Sequence, residues 1–161
     1  CASYSIARPA FAGEVLSMPV EYGVSPARLC LELTEGALVA DPEQARLSMK
    51  QLADQGMSVV LDDFGAGFSS LSYVHQYHFS GLKIDKSFIF ELTTSDRSRA
   101  IVRAIVRMAE SLDLTVVAEG VEDRQTLELL REMGAGQAQG YYLAGPLPLE
   151  QLQIAQGQTT H

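Results

Sequence analysis

The chain has 161 residues, 47% of them hydrophobic and 20% charged, with a formal net charge of −8, a make-up that suits one globular unit with a sizeable core. So acidic a chain is not a non-specific binder of DNA or RNA, whose backbone is held by clustered Lys and Arg that release counterions; an anionic ligand would need metal ions or a local positive charge. No apolar run reaches the roughly 18 residues of a membrane span and no signal-peptide pattern is present, so a cytoplasmic location is expected, as it is from the scarcity of cysteine, with Cys30 in its apolar run reading as core.

Tyr4 to Ile6 reads as a short strand at the sheet edge, followed by a helix from Phe11 to Tyr22. A strand from Leu29 to Thr34 leads to a helix from Asp41 to Asp54, where Ala45, Met49 and Leu52 recur at helical spacing. Met57 to Leu61 is a strand closed by Asp62 and Asp63, and a glycine-bearing loop from Phe64 to Ser70 opens a short helix from Leu71 to Tyr77. Gly81 to Asp85 is the next strand. Arg97 to Leu112 forms a helix with Ile101, Ile105, Met108 and Leu112 on one face and a solvated face of Arg99, Arg103 and Arg107. Thr115 to Ala118 is a strand, Arg124 to Met133 a helix, Gln137 to Tyr142 a last strand, and Pro146 and Pro148 introduce a final helix. This alternation describes about six βα units around a parallel sheet, joined by short connections. A closed eight-fold barrel usually needs about 250 residues. The fold class is therefore α/β, either an open doubly wound sheet or a barrel without its first units.

Catalytic groups of parallel α/β folds stand just beyond the C-terminal strand ends. Those ends carry Glu32 with Glu35, Asp62 with Asp63, Lys83 with Asp85, Glu119 with Glu122, and Gln139. Brought to one barrel mouth, the carboxylates repel unless cations neutralise them, and hard oxygen ligands suit Mg²⁺ or Mn²⁺. With one lysine and one glutamine among the acids, the set is closer to a two-metal phosphodiesterase site than to a glycosidase pair. An Asp-Asp pair alone is commonly a solvated turn, but this one ends a strand and precedes Phe64-Gly-Ala-Gly67, whose glycines permit positive φ and close backbone approach. That pair of glycines lacks both Gly-Lys-Ser/Thr and a third glycine, which argues against a nucleoside-triphosphate or nicotinamide site. His75 and His78 have no Cys or Glu at zinc spacing and read as surface or core residues. Asp85 and Glu122 read as helix-capping or salt-bridging groups as readily as groups with a direct catalytic role. Lys83, flanked by apolar residues in its strand, needs a partner if buried, and the acidic mouth supplies one.

Five stretches, Glu32-Leu-Thr-Glu35, Asp62-Asp-Phe-Gly-Ala-Gly-Phe-Ser-Ser70, Leu82-Lys-Ile-Asp-Lys-Ser-Phe88, Val117-Ala-Glu-Gly-Val-Glu122, and Gln139-Gly-Tyr-Tyr142 with Pro146, resemble the EAL-domain cyclic di-GMP phosphodiesterases in order and spacing. The resemblance implies a TIM-like (β/α) barrel of the EAL type, N-terminally truncated, with residues 1–161 a partial EAL domain. It implies two-metal hydrolysis of cyclic di-GMP to linear pGpG in bacterial second-messenger signalling. Glu32 and Asp62 would bind the first metal, Asp62 would bridge to the second, and Asp63 and Glu119 would complete the second. Lys83 would orient the nucleophile, Gln139 would fix hydrogen bonding at the site, and Glu35 would brace the Asp62-to-Ser70 loop. Asp85 and Glu122 would support the ligands, and Gly65, Gln139 and Pro146 would lie on the substrate side.

Two family features are absent: the Glu-Ala-Leu tripeptide, whose glutamate is a ligand of the first metal, and an Asn-x-Ser motif, the chain having no asparagine. The alternative function is therefore a catalytically inactive EAL remnant that binds cyclic di-GMP or acts as a dimerising scaffold, and whether this chain is itself an enzyme stays open at this point. A homodimer through barrel helices or open strand edges is the expected protein partner.

Overall fold

The computed structural model describes residues 6–66, 70–148 and 151. Five parallel strands run β1 (Cys30–Thr34), β2 (Ser58–Phe64), β3 (Gly81–Ile84), β4 (Thr115–Glu119) and β5 (Gln137–Gln139), and they lie side by side in chain order. Helices α1 (Phe11–Glu21), α2 (Pro42–Asp54), α3 (Ser70–Gln76), α4 (Lys86–Phe90), α5 (Asp96–Ser111) and α6 (Arg124–Met133) lie between them and before them. A doubly wound sheet reverses its strand order. Here it never reverses, and right-handed crossovers in one direction place every connecting helix on the same face. The sheet is thus a sector of a (β/α) barrel, and the doubly wound alternative is excluded.

Strand alternation decides which residues meet those helices. Leu33, Val59, Leu61, Leu82, Ile84, Val116 and Ala118 point outward and are buried in one core with Met49 and Leu52 of α2, Val102, Ile105, Val106 and Ala109 of α5, and Leu130 of α6. Cys30, Glu32, Val60, Asp62, Lys83, Val117, Glu119 and Gln139 take the inner, concave face. Cys30 is therefore exposed rather than part of the core, because its parity with Glu32 places it on that face. The buried stripe of α5 is also rotated from the expected one: Leu112, which caps the helix, is half exposed, while Val102, Val106 and Ala109 face the sheet. Of the arginines on that helix, Arg99 is not simply solvated but donates to the carbonyls of Leu92 and Thr93.

Side-chain caps set the helix starts: Asp41 accepts from the Gln44 amide, Ser95 from Ser98 and Asp123 from Thr126. Gly134, with φ 87°, ends α6 in the left-handed region that glycine adopts freely. The expected strand over Tyr4 to Ile6 lies almost wholly outside the described residues, Ile6 itself being in a turn; most of the final helix after Pro148 also lies outside them. The last strand is shorter than expected because the chain turns at Gly140 to Leu143. No helix among the described residues is long and apolar enough to cross a membrane.

The segment before α1 is tied to α2 by one buried hydroxyl, Ser48 Oγ, which donates to the Ile6 carbonyl at 3.0 Å and accepts from Gln44 Nε2 at 3.2 Å. Ser48→Ala leaves that buried carbonyl without its donor, so chemical denaturation should show a loss of about 1–3 kcal/mol.

Candidate functional site

Lys83 stands on the inner face of β3, only 6% exposed. Its register partner across β4 is Val117, so Glu119 projects from the same face one rung further up. From β1 and β2, Glu32 and Asp62 reach the same point. The Lys83 ammonium lies 2.6 Å from Glu119 Oε1, 2.8 Å from Glu32 Oε2 and 3.4 Å from Asp62 Oδ1. Burial on its own pushes Lys83 towards losing its proton, but the hydrogen bonds to Glu119 and Glu32 and the charge of Asp62 outweigh burial and raise its pKa. Lys83 is a fixed positive charge.

Asp63 enters from a distortion of β2. The β2–β3 register shifts between Leu61 and Phe64, and Asp63 takes φ 54°, a left-handed value that few residues other than glycine, asparagine and aspartate tolerate. Asp62 Oδ1 accepts the Asp63 amide at 3.0 Å and so holds the bulge. The irregularity turns the second carboxylate of the pair towards the first instead of to the opposite face. Carboxylate oxygens of Asp62, Asp63 and Glu119 all lie within 4.8 Å of one another. Burial first, then the charges of Asp62 and Asp85, raise the Asp63 pKa, with Lys83 and Lys86 partly offsetting them. Four acids therefore gather at this mouth, three of them in contact with one lysine. Their oxygen-only donor set fits hard divalent cations such as Mg²⁺, Mn²⁺ or Ca²⁺.

The supporting residues divide. Asp85 caps α4, accepting from the Ser87 amide at 2.9 Å, which is the cap reading. Glu35 opens a 3₁₀ turn, Glu35–Ala37, packed on β2. Gly65 has φ 98°, and a Cβ there would come within 2.7 Å of Phe88 Cε2, so Gly65 itself lies against that ring. The rest of the expected glycine loop, residues 67–69, is outside the described residues. Glu122, Gln139 and Pro146 line a cleft of about 600 Å³ with Glu119, Phe90 and Tyr141. Gln139 sits opposite Glu119 in the β4–β5 register. Lys86 and Tyr141 lie in stretches that carry the family resemblance but had no role assigned, Phe90 lies outside them, and α4 is too short for its period to give Phe90 away. His75 and His78 are exposed.

A family model described as "EAL domain" matches residues 2–146. The chain belongs to the EAL domain family. Among the relatives of this EAL chain, the cyclic di-GMP phosphodiesterase NbdA of Pseudomonas aeruginosa is 39% identical over 153 residues, covering 95% of the chain and 20% of the relative. The solved EAL domain of Mycobacterium smegmatis DcpA superposes with a TM-score of 0.88 at 34% identity, over 94% of this chain and 68% of that one. Klebsiella pneumoniae BlrP1, solved as a manganese and cyclic di-GMP complex, gives 0.78 at 33% identity, over 83% of this chain and 34% of its own. The chain spans 17%, 18% and 20% of the length of three curated relatives. The barrel of these relatives is the TIM-like type expected from the sequence.

Proposed function

We propose that residues 1–161 form part of an EAL domain that hydrolyses cyclic di-GMP to linear pGpG with Mg²⁺ or Mn²⁺ as cofactor. The observation that carries this reading is the convergence of Asp62, Asp63 and Glu119, two of them in contact with Lys83, beside an aromatic-walled cleft. The relatives' names and the manganese complex of BlrP1 point to the same chemistry.

Asp62, Asp63 and Glu119 would hold one cation, and Glu32 with Asp62 another. Divalent cations here supply Lewis acidity that activates water and neutralises the phosphoryl oxygens. The acids keep the mouth negative enough that a dianionic dinucleotide has little electrostatic reason to enter until cations are held there. Lys83 presents a charge that stays protonated throughout, and Gln139 offers an amide beside Glu119. Phe90 and Tyr141 offer faces on which a purine can stack. Glu35 and Glu122 would support the ligands, and Gly65 and Pro146 would lie against the substrate. A cytoplasmic location and a homodimer through barrel helices or open strand edges belong to the same reading; light scattering reads the latter.

Incubating the chain with cyclic di-GMP and Mg²⁺ or Mn²⁺ and separating the nucleotides chromatographically tests the proposal. Linear pGpG is the expected product. Unchanged nucleotide that still binds by calorimetry would instead favour binding without turnover.

A further inference from the structure

We infer that Lys83 is the resident counter-cation of the acidic mouth: it holds Glu32, Asp62 and Glu119 together as a preformed cradle, and a divalent cation binds there only by sharing carboxylates with it. The inference rests on the metal-site reading above and adds how that site is kept in shape and loaded.

An ammonium has three donor hydrogens and no acceptor. At Lys83 three carboxylates surround it, at 2.6, 2.8 and 3.4 Å. With the residue 6% exposed, water is a poor substitute for any of them. Two of these partners, Asp62 and Glu119, are also members of the metal-ligating cluster, whereas Asp63 is not a partner of Lys83. The lysine and an incoming cation therefore draw on the same carboxylates, Asp62 and Glu119, at two of three ligands.

Three consequences follow from that overlap. Like charges converging from β1, β2 and β4 are neutralised by a group carried on β3, so the strand ends can close on one another without a metal. Cation affinity is lower than the carboxylate set alone would give, because a bound positive charge has to be displaced or shared. Loading shifts the ammonium off Asp62 and Glu119, which makes it available to the substrate side only once the cation is in place.

Lys83→Met keeps the length of the side chain and removes its charge. Calorimetric titration should show this variant binding Mn²⁺ roughly tenfold or more tightly than wild type, as expected from deleting a contacting unit charge. Its thermal midpoint in EDTA should fall below that of wild type and recover when Mn²⁺ is added. Lys50, Lys83 and Lys86 are the chain's only lysines, so ¹³Cε-lysine NMR spectra can be assigned from Lys50→Arg and Lys86→Arg. In the wild-type chain the Lys83 signal should move during a Mg²⁺ titration while the exposed Lys50 stays in place, a test that holds even if Lys83→Met does not fold. Equal Mn²⁺ affinity in wild type and Lys83→Met, or a Lys83 signal unmoved at saturating Mg²⁺, would overturn the inference while leaving the metal site standing. If neither cation binds wild type or variant, the metal-site reading fails and takes this inference with it.

Discussion

Asp63→Asn is expected to lower metal-dependent hydrolysis of cyclic di-GMP by about 100-fold or more, the effect of removing several kcal/mol of charge stabilisation, while leaving the chain at least as heat-stable in EDTA as wild type. The substitution is conservative where it needs to be. Asparagine accepts the positive φ of 54° at this bulge, and the Asp63 amide can still donate to Asp62. What changes is one negative charge among four. The Asp63 carboxyl has a raised pKa because of burial and the neighbouring Asp62 and Asp85. A carboxyl whose folded pKa exceeds its unfolded value costs no stability while protonated, and costs progressively more as pH rises through that range. At neutral pH the ionised wild-type residue is therefore the less comfortable one, and the permanently neutral amide relieves the crowding. Added Mn²⁺ reverses the order, since a ligand bound only by the folded state stabilises it in proportion to the logarithm of occupancy. Thermal unfolding with EDTA and with Mn²⁺, alongside the product assay, reads both halves. A variant that unfolds earlier than wild type in EDTA would make Asp63 a structural residue instead.

The short apolar runs alternating with stretches of helical period made the strands legible in the sequence, though not which of their faces is buried, and the polar strand ends marked Glu32, Asp62, Lys83 and Glu119. Their convergence was not legible in the same way, because parity gives a face but not the rung at which neighbouring strands meet. Cys30 shows the cost of judging by composition: an apolar run suggested burial, yet the same alternation that buries Leu31 and Leu33 turns Cys30 to the concave face. Asp63 shows another limit. Strict alternation from Asp62 would send it to the opposite face, and only the register shift before Phe64 returns it to the site. Phe90 was out of reach because α4 is short and carries no periodic signal, and Tyr141, though part of a quoted stretch, was read as strand, whereas the chain turns there after β5. Asp85 was readable as cap or ligand support, and the hydrogen bond from the Ser87 amide adds the cap role.

Gly140→Ala is expected to be the most damaging single methyl in the described chain. A Cβ at this position would lie 2.1 Å from the Val121 carbonyl oxygen and 2.3 Å from its nitrogen, both backbone atoms with no flexible end to swing away. The approach is close because two hydrogen bonds draw the segments together. The Val121 amide donates to the Gln139 carbonyl and the Tyr142 amide donates to the Val121 carbonyl, each at 3.1 Å. Together they fasten the end of β5 to the loop after β4, between Glu119 and Glu122, and so set Gln139 and Tyr141 at the cleft. An alanine has to break at least one of these bonds or displace fully buried Val121. The expected loss is about 3 kcal/mol or more, which for a domain of this size lowers the thermal midpoint by roughly 10 °C. Gly120 is also intolerant of a side chain, because its φ of 78° is left-handed and a Cβ would lie 2.8 Å from Lys86 Cβ, an atom fixed to the α4 backbone. Gly136→Ala is the proper control, its nearest contact being the Val116 carbonyl at an ordinary 3.8 Å, and it should stay within about 1 kcal/mol of wild type. If Gly140→Ala instead unfolds at the temperature of Gly136→Ala, the two hydrogen bonds are dispensable and the cleft wall is held by α4 rather than by the joint at Val121.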